Sequence, residues 1–96
     1  MFSSLFASNK PSHEGRKLVA EGAILLDVRT PAEFNEGHVE GARNIAVQEL
    51  GGRMREIPSG AKVVVYCRSG GRSAMAAQML RAQGHTVLDV GAMSSY

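Results

Sequence analysis

The sequence predicts an α/β fold in which a central, mostly parallel sheet is covered by helices on both faces. Two observations carry that expectation. Short apolar runs alternate with stretches of helical pattern along the chain after residue 11, the order that builds parallel sheets through crossover helices. The apolar runs are also unbroken rather than alternating, which is how strands read when both of their faces are buried.

Residues 1–11 are Ser-rich, end in Asn9-Lys10-Pro11 and show no periodicity, so they read as a flexible amino-terminal arm ahead of a single domain over 12–96. Ser12 is placed to cap a helix running to about Glu21, with Leu18 and Val19 as its apolar face and Gly22 as its stop. Ala23-Ile24-Leu25-Leu26 is the first buried strand and stops at Asp27. Thr30-Pro31-Ala32-Glu33 has the pattern of a helix start: Thr as cap, Pro at the first helical position, and Glu to complete a capping box. That helix reaches about Asn35. Asn44-Ile45-Ala46 reads as a very short strand, and Leu50, Met54 and Ile57 then form a helical stripe weakened by Gly51-Gly52 and ended by Pro58. Lys62-Val63-Val64-Val65-Tyr66-Cys67 is the strongest strand, because three consecutive β-branched residues favour extended backbone, and it belongs at the centre of the sheet. A helix from Ser73 to Gln83, capped by Gly84, leads to a last strand over 86–90.

Composition limits the function classes. Hydrophobic residues at 44% and charged residues at 21% describe an ordinary globular domain. With aromatics at 5% and no Trp, the core falls to Val, Leu, Ile, Ala and Met. The formal charge of +2 is small and its Lys and Arg are dispersed, so no nucleic-acid footprint is present. No stretch is long and apolar enough for a membrane span, and the opening residues lack the basic start and apolar length of a signal peptide. The expected location is the cytoplasm, in keeping with one unpaired cysteine. His13 and His85 have no companions at metal-ligand spacing and a single Cys rules out the usual zinc arrangements, so neither a metal nor another cofactor is expected.

The one cysteine stands where chemistry is expected. Cys67-Arg68-Ser69-Gly70-Gly71-Arg72-Ser73 joins the carboxyl end of the best strand to a helix start, the position at which open α/β sheets bind ligands. Two adjacent glycines let the backbone curl so that several amide N–H groups point at one centre, forming an anion cradle. A free thiol with pKa ~8.5 is only about 3% ionised at pH 7. Lowering it by roughly two units takes about 2.7 kcal/mol, within the reach of a few charge-assisted hydrogen bonds. A lone buried cysteine is more often inert filling; the surrounding Arg-Ser-Gly-Gly-Arg-Ser makes it a candidate nucleophile. Asp27 and Arg29 follow the end of the first strand and fall at the same sheet edge as Cys67; with Glu33 they are candidate supporting residues, and His38 reads as structural.

Residues 67–73 match the active loop of the rhodanese family, Cys-Arg-x-Gly-x-Arg-Ser/Thr, at each fixed position. A second stretch, Leu26-Asp27-Val28-Arg29, Glu33-Phe34, Gly37-His38-Val39, Gly41-Ala42 and Asn44-Ile45, resembles the family's amino-terminal signature with its spacing intact. The resemblance spans about residues 18–91 and implies a rhodanese-like three-layer fold and thiosulfate sulfurtransferase activity. Cys67 would accept a sulfane sulfur as a persulfide and pass it to cyanide or a thiol, including a protein thiol. Arg68, Ser69, Gly70, Gly71, Arg72 and Ser73 would bind the anionic donor. Arg68 would face that anion, while Arg72 would brace the loop through Asp27 or Glu33. The related cysteine-phosphatase loop is one residue longer, so this loop favours sulfur over phosphate. Non-catalytic relatives typically lose the cysteine or the loop charges, and both are kept here. The family's Trp-containing last helix is missing or reduced to a turn in Gly91-Ala92-Met93-Ser94-Ser95-Tyr96, leaving open what covers the core there.

Overall fold

A computed structural model describes residues 11–96; residues 1–10, nearly all of the expected arm, lie outside the described residues. Helix α1 (Pro11–Ala20) begins two residues earlier than expected and takes Ser12 inside rather than as its cap. Proline suits that opening position because a first-turn N–H has no partner to lose. Gly22 ends the helix at φ +110°, with Ala23 N–H donating to Leu18 O (2.9 Å) and Gly22 N–H to Val19 O (3.0 Å). These paired bonds satisfy carbonyls that a helix end leaves open.

Strand β1 (Ile24–Asp27), helix α2 (Pro31–Glu36), strand β2 (Arg43–Asn44), helix α3 (Val47–Arg53) with a 3₁₀ turn (Met54–Glu56), strand β3 (Lys62–Cys67), helix α4 (Gly71–Ala82), strand β4 (Thr86–Ala92) and a 3₁₀ turn (Met93–Ser95) follow. The described sheet has four strands in the order β2-β1-β3-β4, and every pairing is parallel. The α/β architecture and the inner position of β3 agree with the sequence. The capping box of α2 is also as expected, with Thr30 Oγ accepting from Glu33 N–H and the Glu33 carboxylate accepting from Thr30 N–H.

Alternation along β1 and β3 divides the core between two layers. Leu26, Val63, Val65 and Cys67 face Leu50 of α3, Ile57, and Ala76, Ala77 and Leu80 of α4. Leu25, Val64 and Tyr66 face the other way, onto Val90, Tyr96 and the Leu18–Val19 side of α1. Each fully buried Leu or Val contributes roughly 1.5–3 kcal/mol of transfer free energy, so these two faces dominate the driving force.

Further boundaries differ from the sequence reading. Helix α4 starts at Gly71 rather than Ser73, with Gly70 as its cap at φ +106°, because the loop's curl feeds directly into helical backbone despite the poor propensity of glycine. Strand β2 is displaced to Arg43–Asn44. Strand β4 runs on to Ala92 instead of stopping at Val90: Val65 pairs with Asp89 but Tyr66 pairs with Gly91, so Val90 is an extra residue in a bulge. Gly91 has φ +88° and its N–H donates to the Asp89 carboxylate at 2.9 Å, a geometry that favours glycine. The bulge carries β4 alongside Cys67, opposite Ala92.

After β4 the 3₁₀ turn leads to Tyr96, whose ring is buried beside α1. Arg16 stacks its guanidinium 4.7 Å from the Tyr96 ring centre and donates from Nε to the Tyr96 main-chain oxygen at 2.6 Å. Gly15 makes that packing possible. A Cβ there would come within 3.2–3.3 Å of Val64, Tyr96 and Val90 side-chain atoms.

Candidate active site

Cys67 ends β3 with no exposed surface, so its thiol lies at the floor of the following loop. Gly70 N–H donates to its Sγ at 2.9 Å. The left-handed backbone at Gly70 aims that amide inward, and Gly91 Cα would lie 3.9 Å from a Cβ placed there. Ser73, fully buried, donates from Oγ to Gly70 O at 3.1 Å, tying the two ends of the curl together. Its hydroxyl proton can rotate between that carbonyl and a thiolate.

Burial pushes the Cys67 thiol up, but the Ser73 hydroxyl and the amides of Ser73, Gly70 and Ser69 outweigh it, and the net shift is below the ordinary thiol value. The site therefore favours thiolate. The amino terminus of α4, a helix of 12 residues, adds its positive end to the same point.

Arg72 braces this loop from outside. Its guanidinium forms a two-pronged pair with Glu33, Nη1 to Oε1 at 2.7 Å and Nη2 to Oε2 at 3.0 Å. Of the two carboxylates the sequence offered, Glu33 is the partner. Arg72, and then Thr30 as helix cap, hold the Glu33 carboxyl far below the usual carboxylate range. One short capping box thus fixes α2 and anchors the active loop across the sheet edge.

Asp27 is engaged elsewhere. Fully buried, it accepts Arg29 N–H (2.9 Å) and the Arg29 guanidinium through Nε (3.0 and 3.1 Å) and Nη2 (2.7 Å). Arg29 Nη2 also donates to Gly37 O at 2.7 Å, which fastens the segment after α2 to the end of β1. The side-chain amide of Asn44 donates to the carbonyls of Asp27 and Arg29 at 3.0 and 2.9 Å. Asp27 and Arg29 are therefore scaffold beneath the mouth of the site. His38 stacks on Phe34 at 3.6 Å and donates from Nδ1 to Phe34 O at 2.8 Å, a structural position.

Arg68 and Ser69 project outward. The Arg68 side chain is 77% exposed, and its nearest carboxylate is Glu33 at 4.0 Å. It stands at the rim of the site. Gly71 is exposed and opens α4.

Two groups of residues were not singled out from the sequence. Tyr66, on the face opposite Cys67, accepts Val39 N–H at 3.1 Å and has its phenol pushed up to about 12, chiefly by burial. Met93 and Ser94 join Arg68, Glu36 and Gly37 around a cleft of about 350 Å³ at the rim. Nothing local marks these last two; only the β4 bulge brings them there.

The model of the rhodanese-like domain matches residues 12–93 of this chain. A Bacillus subtilis protein, YqhL, described as uncharacterized, is 48% identical over 64 residues, 67% of this chain and 51% of its own. A protein of Allochromatium vinosum named sulfurtransferase is 43% identical over 65 residues, 68% of this chain and 61% of its own. The matched segment thus spans about half to three-fifths of these curated relatives. Among solved structures, the human single-domain sulfurtransferase TSTD1 superposes with a TM-score of 0.70 at 31% identity, covering 86% of each chain.

Proposed function

The chain belongs to the rhodanese-like domain family, and on that premise we propose that it is a sulfurtransferase working through a persulfide on Cys67. The observation that carries this reading is the buried Cys67 thiol, held by Gly70 N–H at 2.9 Å and biased toward thiolate by the loop.

In the first half-reaction the thiolate attacks the sulfane sulfur of a donor such as thiosulfate. A bond forms between Cys67 Sγ and that sulfur, the donor's S–S bond breaks, and its electron pair leaves with sulfite. The loop amides that favour the thiolate also favour the persulfide anion, without reorganisation. In the second half-reaction cyanide or a thiolate attacks the outer sulfur, and the Cys67 thiolate is regenerated. The loop lowers the Cys67 pKa and so favours the ionised nucleophile, and no general base is assigned to either half. Arg72 acts through position, keeping the cradle closed by its pair with Glu33, and Arg68 meets the incoming anion at the rim. The reducing cytoplasm is the compartment that suits a lone reactive thiol.

Thiocyanate formation from thiosulfate and cyanide tests this reading. The wild-type chain is expected to turn over, and Cys67→Ser is expected to be inactive while retaining its fold. Hydrolysis of an aryl phosphate with no thiocyanate formed would instead assign the loop to phosphate chemistry.

A further inference from the structure

Gly51 and Gly52 sit inside α3, where each weakens the helix relative to alanine. Nothing in the fold asks for them. Neither has a positive φ. A Cβ at Gly51 would make only an ordinary contact of 3.7 Å with Met79, and one at Gly52 would meet no atom within 4 Å. A helical glycine without strain or crowding is explained when something outside the chain must approach the backbone closely. Both glycines line a second cleft, of about 640 Å³, within the range of small-molecule sites.

This cleft is remote from Cys67. His85 lines it just ahead of β4, so it lies at the amino ends of the strands. Cys67 closes the other end of the six-residue β3, about 20 Å away at the usual rise of a strand. His85 is 7% exposed, and its Nδ1 sits 2.9 Å from Ala61 O. A carbonyl can only accept, so Nδ1 carries the proton and Nε2 of the neutral ring is an acceptor. Among the described residues Nε2 has no partner, and no sealed side-chain nitrogen there lacks one. Nε2 therefore opens to the cleft that His85 lines, ready for an N–H or O–H from a ligand.

Charge and shape narrow what fits. Arg53 is held by Glu49 and Glu56, whereas Arg55, exposed at the cleft, has no ion pair among the described residues. A guanidinium fork matches a carboxylate edge to edge, and a single cation suits one negative charge better than the near-double charge of a phosphate ester. A wall of bare peptide beside the apolar Met54 and Ile57 suits the face of a planar ring. We propose that this cleft is a second binding site, taking a flat aromatic carboxylate that carries a hydroxyl or N–H donor. The ring lies on the Gly51–Gly52 backbone, the carboxylate pairs with Arg55, and the donor bonds to His85 Nε2.

Titration of the full, isotope-labelled chain with para-hydroxybenzoate, followed by amide NMR shifts, tests the assignment. Saturable shifts at Gly51, Gly52 and His85 are expected, with a dissociation constant of about 1 mM and no comparable shifts at Ser69, Gly70 and Gly71. para-Methoxybenzoate, which lacks the donor, and para-hydroxybenzyl alcohol, which lacks the charge, are each expected to bind about tenfold more weakly, as is para-hydroxybenzoate to Arg55→Gln. Gly52→Leu is expected to abolish binding while raising the melting midpoint by about 4 °C, because leucine is the better helix former. No saturable shift, shifts centred on the Cys67 loop, or undiminished binding by Gly52→Leu overturns the site. A lowered midpoint in Gly52→Leu overturns it too, since the fold itself would then require the glycine. Equal binding of the uncharged alcohol overturns the assignment to a carboxylate.

Discussion

Removing the Asp27 carboxylate should destabilise the domain more than any other single polar change at the sheet edge. The side chain is fully buried and accepts its hydrogen bonds from Arg29, whose own side chain is 7% exposed. In Asp27→Ala the guanidinium keeps only Gly37 O at 2.7 Å and the Tyr66 ring at 5.8 Å. Leaving a buried charge without its partner costs about 3–5 kcal/mol. A domain of this length is stable by roughly 4–13 kcal/mol in total, so the variant retains a fraction of that or unfolds. With a urea slope of about 1 kcal/mol per molar, the midpoint should fall by about 3–5 M. Asp27→Ala/Arg29→Leu removes the orphaned charge and should recover at least half of the loss. Urea unfolding of wild type, both single variants and the double variant measures the coupling. If the two single losses simply add in the double variant, the buried pair is not what secures this edge.

The other expectations concern the loop and the α1 face. Glu33→Gln should slow sulfur loading by roughly tenfold by releasing Arg72. Because the Glu33 carboxyl is depressed in the folded chain, its stabilisation is full above about pH 4.3 and is lost as pH falls through the lower folded value. The melting difference between wild type and Glu33→Gln should therefore shrink in acid. Ser73→Ala should move the pH midpoint of Cys67 alkylation by iodoacetamide upward, since the Ser73 hydroxyl is the largest group favouring the thiolate; an unmoved midpoint would assign Ser73 to the Gly70 carbonyl alone. Gly15→Val should lower stability by about 2 kcal/mol in thermal or urea unfolding, because its methyls meet Val64, Val90 and Tyr96.

Much of the site was legible because its determinants are local. The valine run made β3, Thr30-Pro31-Ala32-Glu33 made α2 and its capping box, and the paired glycines beside Cys67 made the cradle. The choice between Asp27 and Glu33 for Arg72 was not legible: it depends on Asp27 turning back to Arg29 two residues later, a tertiary outcome of burying both. The same holds for the far end of β4. Without the bulge at Val90 the register gives no reason to place Met93 and Ser94 at the rim. No sequence pattern marks Gly15, which is the point where α1 touches the sheet and Tyr96. Arg68, expected to face the anion, extends into solvent at the rim.

The most direct test of a Cys67 persulfide is the intact mass of the chain after exposure to thiosulfate, then after addition of cyanide. Wild type should gain one sulfur and lose it again with cyanide, and Cys67→Ala should gain none. An unchanged wild-type mass, or a sulfur gained equally by Cys67→Ala, would contradict the assignment of Cys67 as the sulfur carrier.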